Sequence, residues 1–236
     1  MFTDNAKTLN ISGSSRQRVD FLREELISRI KENGGFVNTH AHLDRAYTIT
    51  PQNLHLANAT LKEKWFLVDE IKSSSTVSKI YDRMAFALED MINQGVQAVG
   101  TFIDVDEVIG DKSIRAAQLI KEEFCSDITV KFINQTLKGV IEPNAKKWFD
   151  LGAEFVDIIG GLPAKDKGHE LEHLDIIMET AKALNKPLHV HVDQFNTQSE
   201  KETEQLADKV IQHGLQGKLT AIHCISLSAH PMEYRK

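Results

Sequence analysis

The chain alternates short apolar segments with longer amphipathic ones, and this alternation restricts its fold more than any other feature of the sequence. Parallel strands cannot be joined by a tight turn, because each connection must cross back over the sheet, usually as a helix. Regular alternation of strands and helices is therefore typical of a parallel α/β fold. We predict strands over residues 36–43, 98–105, 128–134, 155–159, 187–193 and 219–225.

The first predicted helix, over residues 15–33, precedes the first strand. Val19, Leu22, Leu26 and Ile30 form its apolar stripe, and a pair of glycines ends it. We assign residues 1–35 to an N-terminal helical appendage and residues 36–236 to the main domain. The other predicted helices cover residues 76–94, the segment from 111 onward, and residues 143–151, 170–184 and 200–213. A long polar connection is expected between the first strand and the helix over 76–94.

Six β/α units are compatible with two kinds of parallel fold. An open doubly wound sheet can use six strands, but its first turn is a glycine-rich phosphate loop. The first strand here ends instead in Thr39-His40-Ala41-His42. A closed (β/α)8 barrel needs eight strands. We therefore predict an α/β fold of the (β/α)8 TIM-barrel type that is incomplete, with about six β/α units present.

The composition excludes several classes of partner. The net charge is −6 and the charged residues are mixed along the 236 residues, so no basic stripe offers a footprint for nucleic acid. No apolar stretch approaches the roughly 20 residues that span a bilayer. The first residues do not resemble a secretory signal, and two cysteines suit reduced thiols. We expect a cytoplasmic protein with a small-molecule substrate that binds neither nucleic acid nor membrane.

Histidines recur at the ends of three predicted strands. Alternate side chains of a strand share a face, so Asn38, His40, His42 and Asp44 are expected to project together. Active sites of such barrels lie at the C-terminal ends of the strands. Imidazole nitrogens and carboxylate oxygens bind ions such as zinc, and a catalytic site keeps one position open for water. The pattern therefore indicates a metal centre, with His191 and His223 contributed by later strands.

We assign no metal-binding role to the other histidines. His189 shares the inward face of its strand with His191 and is expected to fill the barrel or orient a ligand. The rest fall in connections or on and beside surface helices: His55, His169, His173, His213 and His230.

These motifs match a known family. Taken in order, residues 40–44 (HAHLD), 190–193 (VHVD) and 221–223 (AIH) resemble the amidohydrolase superfamily, most closely cytosine deaminase and its relatives. Residues 131–135 and 152–157 extend the resemblance, which covers nearly everything from Gly34 onward.

The resemblance implies one divalent ion, zinc or iron, which activates water to attack a ring carbon and expel an amine. It implies that His40, His42 and His191 are the metal ligands and that His223 orients the water and stabilises developing charge. Gln135 matches a glutamine that hydrogen-bonds the substrate ring. The resemblance also implies one metal rather than two, because binuclear members of the family carry a bridging lysine at the end of strand four and this chain has none there.

Two departures from the family affect proton transfer. Cytosine deaminases carry a proton-shuttling glutamate after the strand-five aspartate, where this chain has Gln194. An amide can orient a substrate but cannot act as a general acid or base near neutral pH. The family's strand-eight aspartate, a metal ligand and base, would lie beyond Lys236. We place Gln194 with His223 as catalytic residues, and Asp193 with Gln135 as substrate-binding residues.

The function predicted from these residues is metal-dependent hydrolysis of a non-peptide C–N bond in a small nitrogenous, heterocyclic compound. One alternative is a catalytically impaired truncated paralogue or fragment that keeps the scaffold and part of the metal site. Another is a metal-binding or oligomer-forming module that borrows strands from a partner chain, since an open barrel exposes strand edges. We therefore keep a homo-oligomer among the partners expected for this chain.

Overall fold

The computed structural model describes residues 14–51, 53–54 and 61–235. Residues 1–13 of the predicted N-terminal appendage, and His55 of the predicted polar connection, lie outside the described residues. Six strands occur in this part of the chain: β1 Phe36–Ala41, β2 Val96–Asp104, β3 Thr129–Gln135, β4 Ile159–Gly161, β5 Leu188–Val192 and β6 Leu219–His223. Seven α-helices accompany them: α1 Ser15–Glu32, α2 Leu61–Ser74, α3 Val77–Asn93, α4 Lys112–Glu123, α5 Pro143–Phe155, α6 Glu170–Leu184 and α7 Glu202–His213.

All the paired strands run parallel and follow one another in chain order. One sheet has the order β1-β2-β3 and the other the order β4-β5-β6. A parallel bridge between Ile133 and Ile158 joins β3 to the segment just before β4. The six strands therefore form one curved row with crossover helices, and the predicted incomplete (β/α) barrel is confirmed.

The core lies between the strands and the helices that cover them. Phe102 and Phe132 on neighbouring strands are completely buried. Helix α3 buries Ile80, Met84 and Leu88, which share one face because they are spaced by four residues. Complete burial of such a side chain contributes about 1.5–3 kcal/mol. Helix α1 differs, since within the described structure none of its side chains is buried.

Two predicted elements were wrong. The expected polar connection after β1 contains α2, whose Lys72 is buried against carboxylates of the barrel. The fourth strand was placed too early, because α5 continues to Phe155 and β4 begins at Ile159. Gly152 and Ala153 are buried on the inner face of α5, where small residues allow the helix to approach β3.

The chain leaves β1 earlier than predicted and turns into a 3-10 helix, Leu43–Arg45. The Leu43 N–H donates to Thr101 Oγ1 at 3.0 Å, and the Asp44 carboxylate accepts from the Asp104 N–H at 2.8 Å. Both contacts fix this turn to β2. Strand alternation alone predicted that Asp44 shares the face of His40 and His42. This prediction was wrong, because Asp44 lies in the 3-10 helix and not in β1.

Gly160 allows β4 to pack closely against β3. Its N–H donates to Asn134 Oδ1 at 2.9 Å, and a Cβ at this position would overlap the Asn134 carbonyl oxygen. Any side chain here would push the two strands apart.

We expect Gly160→Ala to lower the free energy of unfolding by about 3 kcal/mol or more, because the backbone must move to remove the overlap. Gly214→Ala is the control, since an added Cβ there meets no described atom within 4 Å and only its φ of 66° is strained. That strain costs about 1–2 kcal/mol. Urea denaturation of both variants measures the difference, and equal losses would contradict the proposed close approach.

Candidate metal centre

Three histidines converge at the C-terminal ends of β1 and β5. One ring nitrogen from each of His40, His42 and His191 lies within 4.8 Å of the others. The ring centroid of His40 lies 5.1 Å from that of His42 and 5.2 Å from that of His191. The three side chains that the sequence predicted as ligands are therefore brought together from positions about 150 residues apart.

His223 joins this group from the end of β6. Its ring centroid lies 5.1 Å from that of His191 and 6.4 Å from that of His40. The residue is exposed and has a left-handed φ of 73°, which turns the chain at the strand end. His223 therefore lies beside the converging rings and is more exposed than they are.

Burial keeps the three converging rings neutral. It lowers the pKa of His191 to about 2, and the neighbouring His42 and His40 add to the effect. It lowers the pKa of His42 to about 3, with Arg45 as the next contributor, and it also lowers the pKa of His40. The Phe102 ring, 4.6–5.2 Å from all three imidazoles, forms part of the apolar surroundings. Neutral imidazole is the form that binds a metal ion.

The residues fit a divalent ion. Nδ1 of His40 and Nδ1 of His191 are buried and have no hydrogen-bond partner among the described residues. Three neutral nitrogen donors within 4.8 Å of one another form a set typical of zinc or ferrous iron.

A cluster of buried charges lies behind His42. Arg45 Nη2 is 2.7 Å from His42 Nδ1, and Arg45 Nε is 3.6 Å from Asp104 Oδ2. Lys72, which is 2% exposed, lies 3.3 Å from Asp104 and 2.5 Å from Asp106. The cluster therefore ties α2 to the end of β2 and, through Arg45, to His42.

The pKa values of the two acids beside Arg45, Asp44 and Asp104, are shifted in opposite directions. Burial and the neighbouring Asp104 raise the pKa of Asp44 to about 6. Burial by itself would also raise the pKa of Asp104, but Arg45 and Lys72 lower it by more. Asp104 is therefore the charged partner of the two cations.

The predicted substrate contact of Asp193 does not fit its placement. The residue is completely buried, and its carboxylate accepts from the Glu202 N–H at 2.8 Å, from Thr203 Oγ1 at 2.6 Å and from Ser226 Oγ at 2.6 Å. Its φ of 51° turns the side chain away at the end of β5, toward the start of α7. Asp193 thus holds the loop that carries Gln194.

Both predicted glutamines, Gln135 and Gln194, lie near the ends of strands. Gln194 is half-buried and follows Asp193 directly. Gln135 ends β3 opposite Asp104, and its Oε1 is buried with no hydrogen-bond partner in the described part of the chain. An unpaired buried amide oxygen is an available acceptor, so its predicted substrate role stays open.

Several polar residues near the site were not identified from the sequence. Arg45 and Asp104 could have been suspected, since one directly follows residues 40–44 and the other lies near the end of the second predicted strand. Lys72 could not, because it lies in the connection predicted to be polar. His173 was wrongly assigned to the surface. It is completely buried, with Nε2 accepting from the Leu162 N–H at 3.1 Å and Nδ1 2.7 Å from Asp166 Oδ2.

The model of the amidohydrolase family matches residues 34–236. The chain belongs to this family. An uncharacterised protein of Haemophilus influenzae is 52% identical over 219 residues, which cover 91% of this chain and 78% of that protein. The N-isopropylammelide isopropyl amidohydrolase of a Pseudomonas species is 24% identical, over 85% of this chain and 51% of the enzyme.

A solved structure supports the same fold. The 5-methylcytosine deaminase from Klebsiella pneumoniae, with 5-fluorocytosine bound, superposes with a TM-score of 0.78 at 23% identity. The match covers 85% of this chain and 49% of the deaminase. The chain therefore spans about half the length of each of these two enzymes.

Alanine at any of His40, His42 or His191 should remove the bound ion, because two imidazoles seldom hold zinc against competing chelators. His189→Ala is the matched control, since His189 lies on the same strand as His191 but outside the converging group. Metal content after dialysis, measured by plasma mass spectrometry, tests this. Loss of metal in the His189 variant alone would show that the ligands are misassigned.

Glu202 should make stability depend on pH. Burial, followed by the nearby Glu200 and Asp193, raises its pKa to about 7 from an ordinary value of 4.5. Ionised Glu202 is therefore penalised in the folded state, so its contribution to stability falls as the pH rises from about 4.5 to 7.

Glu202→Gln removes this penalty and can still accept the Asp193 N–H. We expect the variant to gain stability relative to the parent chain as the pH rises through that window, and the difference to level off above it. Urea denaturation between pH 4.5 and 8 measures the difference. A difference that does not change with pH would contradict the assignment.

Proposed function

We propose that this chain provides the metal site of a hydrolase that cleaves a non-peptide C–N bond in a small nitrogen heterocycle. The observation that carries the proposal is the convergence of His40, His42 and His191, all neutral, with His223 beside them at the C-terminal ends of the strands. A bound zinc or ferrous ion would supply Lewis acidity and lower the pKa of water at the site.

The names of two relatives support the substrate class. One is a 5-methylcytosine deaminase, and the other acts on N-isopropylammelide. Cytosine and ammelide are both nitrogen heterocycles with a C–N bond outside the ring. We extend this substrate class to the present chain and leave the particular ring open.

Substrate binding, charge stabilisation and proton transfer would then be carried out by different side chains. His223, an exposed residue whose ring centroid lies 5.1 Å from that of His191, would hydrogen-bond a substrate or water and stabilise negative charge as it develops. Gln135 and Gln194 would bind ring nitrogens or carbonyl groups through their amides. Neither amide titrates, so proton transfer would depend on His223 or on water.

A second candidate is a scaffold that binds the ion with little turnover. Within the described residues, the group able to hold an ion consists of three histidines and includes no carboxylate. Asp193 is occupied at the start of α7, and Asp104 is paired with Arg45 and Lys72. Each general acid or base is typically worth about 10²–10⁴-fold in rate, so missing carboxylates would reduce turnover severely.

The experiment is amine release from cytosine, 5-methylcytosine and amino-triazines by the purified chain loaded with zinc or ferrous iron. Our proposal predicts about one bound ion and a release that His223→Asn abolishes while the ion stays bound. His213→Asn, far along α7, is the matched control. One bound ion without release would favour the scaffold, and absence of binding would overturn both candidates.

Gln194→Glu should leave the metal content unchanged, since Gln194 is outside the converging histidines. It should raise the rate of amine release, because a carboxylate at this position can move protons between water and the leaving amine. The measurement is steady-state release beside metal analysis of the same sample. Loss of the ion in this variant would show that Gln194 supports the metal site instead.

Association and location are also part of this proposal. No α-helix in the described residues is long and apolar enough to cross a membrane. A cytoplasmic location and a homo-oligomer stay predictions. Self-association through the outer edges of β1 and β6, which are unpaired among the described strands, would appear as a doubled mass in gel filtration.

A further inference from the structure

Arg45 lies between the metal-binding histidines and two buried carboxylates. Its Nη2 is 2.7 Å from His42 Nδ1, while its Nε is 3.6 Å from Asp104 Oδ2 and 3.8 Å from Asp44 Oδ1. One side of the guanidinium thus makes a hydrogen bond to the site, and the other side stops short of the acids.

The atoms across that gap lack hydrogen bonds. Arg45 Nε, Asp44 Oδ1 and both carboxylate oxygens of Asp104 are buried without a hydrogen-bond partner among the described residues, although Asp104 Oδ2 also forms an ion pair with Lys72 Nζ at 3.3 Å. Buried polar atoms without partners are unfavourable, and a guanidinium and a carboxylate normally form short, charge-assisted hydrogen bonds. A shift of less than about 1 Å would bring Nε within hydrogen-bonding distance of Asp104.

The contact with His42 conflicts with a bound ion. A guanidinium has only donors, so His42 Nδ1 must present its lone pair to Arg45. The neutral ring then carries its hydrogen on Nε2 and cannot offer that nitrogen to an ion. If the ion instead binds Nδ1, it takes the position of Arg45 directly. Whichever ring nitrogen of His42 binds the ion, the ion cannot be bound while Arg45 donates to Nδ1.

We propose that Arg45 is a positioning residue that competes with the ion for His42 and moves onto Asp104 and Asp44 when the ion binds. This proposal rests on the proposed function, since the ion is the one held by His40, His42 and His191. The shift would free His42 Nδ1 and, at the same time, satisfy the acids behind it.

The acids are held in place to receive the guanidinium. Asp44 Oδ2 accepts the Asp104 N–H at 2.8 Å, and Lys72 fixes Asp104 from α2. Arg83 donates to the Asp44 carbonyl at 2.9 Å and to Ser75 Oγ at 3.1 Å. Arg45 is thus the member of the cluster whose side chain can be shared between the metal site and the acids.

The first test is zinc affinity, measured by competition with a chelator. Arg45→Met should bind zinc about tenfold or more tightly than the parent chain, because the competing hydrogen bond is gone. Arg29→Met is the control, since it removes a guanidinium that pairs with Glu25 on α1 and lies outside the cluster, and its zinc affinity should stay unchanged. Unchanged or weaker binding by the Arg45 variant would overturn the proposal.

The second test needs no variant and applies even if Arg45→Met does not fold. Nitrogen-15 NMR of the histidine rings in the parent chain should show His42 Nδ1 unprotonated without zinc. One equivalent of zinc should leave Nδ1 protonated or zinc-bound, and should shift the Arg45 Nε–H resonance as it gains a carboxylate acceptor. An Nδ1 that still accepts from Arg45 with zinc bound would overturn the inference alone. Absence of zinc binding in every variant would overturn the proposed function as well.

Discussion

Parallel pairing of the strands is the constraint on which the rest of this structure depends. Because every strand points the same way, the C-terminal ends of β1, β5 and β6 meet at one edge of the curved sheet. Histidines at those ends are therefore neighbours, although far apart in sequence. Burial of His40, His42 and His191 beside Phe102 keeps these three rings neutral, and a neutral imidazole can bind an ion.

The site depends on a second, polar layer as much as on the histidines. Asp44, Arg45 and Asp104 form this layer behind His42, and Lys72 of α2 completes it. A buried carboxylate left without its cation is strongly destabilised, so the connection that carries α2 must stay in contact with β2. The same electrostatic contacts therefore hold the connection in place and control the position of Arg45.

Much of this arrangement follows from local sequence patterns, but some of it cannot. Strand alternation and glycine stops located most elements, and the His-x-His pair with His191 identified the converging group. The buried position of Lys72 depends on long-range pairing with Asp104, which no local pattern shows. Asp193 was misassigned because one left-handed residue after β5 redirects its side chain toward α7. His173 was misassigned because its polar ring is satisfied internally by Leu162 and Asp166.

X-ray absorption at the zinc edge of the zinc-loaded chain tests the central claim most directly, because it reports which atoms surround the ion. Our account predicts three imidazole nitrogens at about 2.0–2.1 Å, with light-atom scatterers completing the shell. The distant ring atoms of histidine give a recognisable outer-shell pattern. A shell with sulfur, or one lacking the imidazole pattern, would contradict the convergence of His40, His42 and His191 on a single ion.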